Sequence, residues 1–250
     1  MKRVISMTAA ALLAGGGAGC SPTPSEPGKT RADAVSAWTR PPIIERVDRL
    51  AQGLSVSGVA EPGARVVLRS DHGEAFAASA DAEGHFDVRV TASTAPLLLR
   101  PETQVGQDAA PSPDRLLVLP SGQGPIAVLR PGGATRRLGP APALGAVDSD
   151  GRMRLVSGRT TPGAARVEVR HGGETVEVAP DADGFWSVML APRPGPDQVT
   201  VGGRTFVWPG EGAASFGALQ VERAASGWRI NWTGPDGGRQ STWLPDLAPS

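Results

Sequence analysis

The chain of 250 residues contains no tyrosine, one cysteine and only two lysines, Lys2 and Lys29. A single cysteine excludes any intrachain disulfide, so the meaning of Cys20 has to come from its place in the chain. The 25 basic residues are matched by 25 acidic ones, which leaves no basic field to hold a nucleic acid. There are three histidines, and none stands in a His-Glu-x-x-His motif or a close His/Cys cluster, so no zinc or other metal site and no cofactor is expected. There is no Gly-x-Ser-x-Gly elbow and no Ser-x-x-Lys pair. No catalytic residues can be named, and an enzyme is not expected.

What the chain does have is a long stretch written twice. Val56-Ser57-Gly58, Pro62-Gly63-Ala64, Gly73-Glu74, Asp81-Ala82, Gly84 and Val88 return one hundred positions later as Val156-Ser157-Gly158, Pro162-Gly163-Ala164, Gly173-Glu174, Asp181-Ala182, Gly184 and Val188. Self-similarity at a fixed long period sets the whole architecture. Pro42 and Val47-Asp48 recur as Pro142 and Val147-Asp148, which puts a boundary near Ala141. At a slightly larger offset, Ile126-Ala127-Val128 and Pro131-Gly132-Gly133 resemble Ile230-Asn231-Trp232 and Pro235-Asp236-Gly237-Gly238, and each reads as a late β-hairpin.

The repeated unit alternates apolar and polar residues at every step, as in Arg166-Val167-Glu168-Val169-Arg170 and His85-Phe86-Asp87-Val88-Arg89-Val90. That period of two is the signature of half-buried strands. The 33 glycines and 24 prolines lie between these alternations, where Pro presets φ, Gly accepts φ > 0 and Asp bonds its own backbone. Short strands with such turns between them predict an all-β chain of two tandem β-sandwich modules, 42–141 and 142–250, each long enough to bury its own core. Thr103–Pro113, the most polar interruption of the first module, predicts a long loop.

The first nineteen residues read as an export signal: a positive start at Lys2-Arg3, an apolar run from Val4 to Ala14 and small residues before Cys20, too short to span a membrane. Gly17-Ala18-Gly19-Cys20 resembles the bacterial lipobox, with Gly17 where leucine is usual. The resemblance implies cleavage before Cys20, lipidation of its sulfur and attachment to the membrane of a bacterial envelope. Residues 20–41, with Pro22, Pro24 and Pro27, read as a tether, with one or two helical turns at Ala32–Trp38.

Val-Ser-Gly, Pro-Gly-Ala, an alternating strand and then Asp-Ala-x-Gly-x-Phe/Trp-x-Val are similar to the bacterial Ig-like and carboxypeptidase-regulatory-like (prealbumin-type) β-sandwich repeats of envelope proteins. The likeness covers about 35 residues of each module and consists of turn and core positions, so it transfers an architecture and no catalytic residue. It implies a spacer, adhesion or interaction module whose partner is another envelope protein or a glycan.

Five of the six tryptophans fall in the second module. In a strand across Trp228–Thr233, Trp228, Ile230 and Trp232 share one face, and Phe206 and Trp208 pair in the same way. These rings suit a sandwich core; the alternative is a platform for peptidoglycan or polysaccharide made from Trp208, Trp228, Trp232 and Trp243. Asp148-Ser149-Asp150-Gly151 and Asp181-Ala182-Asp183-Gly184 open like calcium loops but lack the distal glutamate, so plain turns are expected. His72, His85 and His171 are expected on wet turns or strand faces. A hydrolase with an unrecognised acid, base and nucleophile is the remote alternative.

Overall fold

The computed structural model describes residues 39–120, 124–193, 196–212 and 219–247, within one compact unit, Thr39–Ser250. The export signal, Cys20, most of the tether and the turns expected at Ala32–Trp38 lie outside the described residues. The described chain is all-β. Its first strands are β1 (Ile43–Leu50), β2 (Gly53–Val59), β3 (Arg65–Ser70), β4 (Ala75–Ser79), β5 (His85–Thr91), β6 (Leu97–Val105), β7 (Asp108–Pro111), β8 (Arg115–Val118), β9 (Ile126–Leu129) and β10 (Arg136–Leu138). They are followed by β11 (Ala146–Ser149), β12 (Arg154–Arg159), β13 (Val167–His171), β14 (Glu174–Val178), β15 (Phe185–Leu190), β16 (Asp197–Val201), β17 (Arg204–Trp208), β18 (Gln220–Arg223), β19 (Gly227–Thr233) and β20 (Arg239–Pro245).

All described pairings are antiparallel and form four sheets: β1-β2-β5; β10-β9-β8-β6-β3-β4 with β7 also on β6; β15-β12-β11-β20-β19-β18; and β14-β13-β16-β17. The duplication is visible in the register. Val56 pairs with Val88 and Val156 with Val188. Alternation sets the faces: along β5, Phe86, Val88 and Val90 are buried and every residue between them is exposed. The Asp-x-x-Gly stretch before it is a tight turn. The Asp81 carboxylate accepts the Glu83 and His85 amides, and Asp181 does the same for Asp183 and Phe185. Gly84 and Gly184 sit at φ 88° and 77°, where an added Cβ would stand 2.6 Å from the Ala60 carbonyl oxygen and 2.2 Å from that of Thr160.

The long loop expected at Thr103–Pro113 is instead a hairpin. β6 continues to Val105, turns at Gly106 and Gln107 and returns as β7, with Glu102 opposite Pro111 and Val105 opposite Asp108. A two-residue turn with φ 58° at Gly106 suits a hairpin, and the short β7 has one free edge, where polar residues and a terminal proline are tolerated.

Three apolar clusters hold the sheets together. The first joins β1, β2 and β5 to the inner faces of β3, β6, β8 and β9, around Val56, Leu68, Val88, Leu99 and Leu116. The second joins β11, β12, β15 and β20 to β13, β16 and β17, around Val156, Val169, Trp186, Val199, Phe206, Trp208 and Trp243. Each cluster lies between two sheets, an arrangement consistent with a β-sandwich. The third consists of Leu117, Leu119, Ala127 and Leu129 on one side of Ala141, and Ala146, Ile230, Trp232 and Leu244 on the other. β8 and β9 are buried along their whole length because Leu116, Val118, Ile126 and Val128 face the first cluster while Leu117, Ala127 and Leu129 face the third.

The late hairpins explain that third cluster. Both form as read from the sequence, β9 with β10 and β19 with β20, but they join different sheets. The first extends the sheet of β6 and β3 through β8; the second extends the sheet of β12 through β11. Ile230 and Trp232 consequently face the residues before Ala141, not the second sandwich core.

Candidate functional site

The third cluster carries a buried polar network. Asp148 on β11 lies on the same strand face as Ala146, so its carboxylate points into the junction. It accepts the Thr135 amide at 2.7 Å, the Thr135 hydroxyl at 2.6 Å and the Thr242 hydroxyl at 2.7 Å. Trp232 Nε1 donates to Thr242 Oγ1, and the Ser157 hydroxyl donates to the Thr135 carbonyl. Thr135 therefore bridges the first late hairpin to β11, β12 and β20. Burial pushes the Asp148 carboxyl up to about 6, against the three hydrogen bonds that favour its ionised form. Its repeat mate Asp48 is half-exposed and pairs with Arg46. In Asp148–Gly151, Asp148 is committed to the two threonines, and Asp150 accepts the Arg152 and Met153 amides, closing the turn.

Beside this junction runs a groove of about 890 Å³, walled by Val47, Asp48, Arg49, Ile126, Arg137 and Leu138 before Ala141 and by Arg223, Trp228, Asp246 and Leu247 after it. The Arg223 guanidinium stacks 4.8 Å from the centre of the Trp228 ring and grips Asp246 with two hydrogen bonds. That grip, with the Arg223 and Arg137 charges, holds the Asp246 carboxyl below its usual range despite burial. Arg49 donates to the Gly124 carbonyl and Arg137 to the Pro245 carbonyl. Burial lowers both guanidinium groups, Arg137 to about 10 with Asp246 opposing.

The groove settles the fate of the tryptophans. Trp208, Trp232 and Trp243 are 2%, 2% and 0% exposed. A sealed ring has no face for a sugar, so these three drop out as binding residues. Trp228 is half-exposed; it packs partly against the third cluster and lines the groove.

A second charged cluster was missed by the sequence reading. His171 is buried, not on a wet face; its Nε2 bonds Asp197. Arg154, 1% exposed, donates to Asp197 at 2.6 Å and to the Arg193 carbonyl at 2.7 Å, and lies 3.8 Å over the Trp208 ring. Burial pushes the Asp197 carboxyl up, but the hydrogen bonds from His171, the Gln198 amide and Arg154 outweigh it and leave it lowered. His72 and His85 are exposed, as expected. The signal for His171 is a one-residue insertion at Ala165: Arg65-Val66-Val67-Leu68-Arg69-Ser70 aligns with Arg166 to His171 at an offset of 101, and a turn one residue shorter after His171 restores the offset of 100 at Gly173. His171 thereby takes the inward place of Ser70, opposite Val199 as Ser70 is opposite Leu99. Among the described residues no group of three or more His, Cys, Asp or Glu side chains is arranged to hold a metal ion.

A scan of the chain against protein-family models finds no match, and a search of curated proteins finds none.

Proposed function

We propose that the chain is a non-catalytic binding module of the bacterial envelope, anchored through a lipid on Cys20, with two tandem Ig-like or prealbumin-like sandwiches meeting near Ala141. Its ligand lies in the groove beside the junction. The observation that carries this reading is the groove itself, whose walls come from both copies of the repeat and whose one accessible ring is Trp228. Apolar walls with a few converging polar groups are the usual make-up of a binding cleft. The buried acid–base pair His171 and Asp197 supports binding over hydrolysis, because it is held by Arg154 beneath Trp208 and is not part of the groove wall. A glycan is the favoured ligand, since a half-exposed indole in a groove is a natural platform for a sugar ring.

Docking of another envelope protein is the second reading. It is favoured by β1, which among the described residues is an edge strand paired only with β2 and exposes Ile43 and Leu50. Exposed edges of this kind accept an added strand.

The test is co-sedimentation of the full chain with isolated envelope polysaccharide, together with membrane fractionation. The expected result is that Trp228→Ala stays in the membrane fraction and loses the polysaccharide, while Cys20→Ala leaves the membrane fraction. Undiminished sedimentation of Trp228→Ala contradicts the groove, and Cys20→Ala remaining with membranes contradicts the anchor.

A further inference from the structure

The charges of the junction groove do not cancel. Its walls carry Arg49, Arg137 and Arg223 against Asp48 and Asp246. Asp246 is taken by both guanidinium nitrogens of Arg223, and Asp48 is turned to Arg46. Among the described residues Arg49 and Arg137 each hydrogen-bond one backbone carbonyl, of Gly124 and of Pro245. Arg137 also has a buried Nε with no hydrogen-bond partner. Burial lowers both guanidinium groups; Asp246 opposes this at Arg137 but is itself held by Arg223.

A guanidinium fork is shaped for two parallel hydrogen bonds to a carboxylate or phosphate, and in a partly dehydrated site such bonds are about twice as strong as neutral ones. The same groove holds the Trp228 ring, covered on one side by Arg223. Arg223 connects ring and cations, because the Asp246 it grips is also the acid that acts on Arg137. A half-exposed ring in one groove with two arginines that hydrogen-bond no carboxylate asks for a ligand with a ring to stack and an acid to pair.

We propose that the groove binds an acidic saccharide, its pyranose ring on Trp228 and its carboxylate on Arg137 and Arg49. This rests on the groove being the binding site. A groove of about 890 Å³ takes a segment of a few sugars. The bare anion, a neutral sugar and an acidic peptide each satisfy only part of the wall.

The experiment is calorimetric titration of the detergent-solubilised full chain with tetragalacturonate, with its neutral methyl ester and with inorganic phosphate. Tetragalacturonate is expected to bind at least about tenfold more tightly than the ester, the size of one charge-assisted hydrogen bond. Arg49→Gln, which removes an arginine from the groove wall and not from a core, should remove most of that difference while the ester's binding is unchanged. Trp228→Ala should weaken both saccharides. Arg137→Gln is read only after its thermal melt matches that of the parent. Equal binding of acid and ester overturns the inference. So does phosphate binding as tightly as tetragalacturonate, which makes the site one for an anion alone. Failure of tetragalacturonate alongside Trp228-dependent sedimentation with envelope polysaccharide overturns the acidic-sugar inference and keeps the groove. Failure of both overturns the groove as well.

Discussion

In the first copy of the repeat, Leu54, Ser70, Leu97 and Val118 close one corner of the sandwich; in the second, Arg154, His171, Asp197 and Trp208 stand at the same places. The register proves the equivalence. Leu54 pairs with Val90 and Arg154 with Leu190, while Leu97 pairs with Val118 and Asp197 with Trp208. One backbone thus supports an almost apolar corner and an ionic one. The difference lies in how each corner fails. An apolar corner loses transfer energy and gains a cavity when trimmed. An ionic corner holds only while each charge keeps its partner, because one buried charge left alone is strongly destabilising.

The largest effect expected is therefore at Asp197. Asp197→Ala should cost about 3–5 kcal/mol, since Arg154 would be left buried with the Arg193 carbonyl as its remaining hydrogen-bond acceptor. Rebuilding the first copy's corner with Arg154→Leu, His171→Ser and Asp197→Leu together should recover most of that loss, as apolar replacements of buried ion pairs often do. Urea denaturation of the single and triple variants checks both. A mild single variant would mean that water already reaches the cluster.

A smaller and pH-dependent difference separates Asp148 from Asp48. The Asp148 carboxyl is raised to about 6 from 3.8, so the folded chain holds its proton more firmly than the unfolded chain does. Between those two pH values the folded state binds more protons, and its stability falls as pH rises. The contribution is fully present below about 4 and lost above about 6, a change on the order of 3 kcal/mol. Denaturation midpoints across pH 4–7 should therefore slope downward in the parent chain and flatten in Asp148→Asn, while Asp48→Asn leaves the slope in place. A slope that survives Asp148→Asn would assign it to other groups.

The smallest contrast should be no contrast at all. Gly84 and Gly184 have the same positive φ and the same close carbonyl, so replacement by valine should cost each copy about 1–3 kcal/mol, equally within error. Unequal costs, measured by thermal melts, would show that the two turns are not equivalent.

The sequence made the strands, the Asp-x-x-Gly turns and both late hairpins legible, because period two and φ > 0 glycines are local signals. The corner at His171 was concealed by a single inserted residue, Ala165, which a strict offset of 100 misreads. Asp148 was harder still. Val47-Asp48 and Val147-Asp148 are the same dipeptide, and only the arrival of β20 beside β11 buries the second. Which sheet a hairpin joins is decided by what its outer face meets, and for β9 and β19 that is each other's neighbourhood across the third cluster. The groove followed from that meeting, so its arginines carried no motif. Trp228 could be named as a candidate, but not separated from three tryptophans that are sealed in the cores.

The two copies share a third core through their late hairpins. The most direct measurement of this is to express residues 39–141 and 142–250 separately, then to follow the thermal melt of each alone and of the mixture. Ile230, Trp232 and Leu244 lose their cover in the second fragment, at about 1.5–3 kcal/mol for each large side chain exposed. The account predicts that this fragment melts well below the full chain and that mixing restores a common, higher transition. Two fragments that each melt at the full chain's temperature, and that do not associate when mixed, would contradict it.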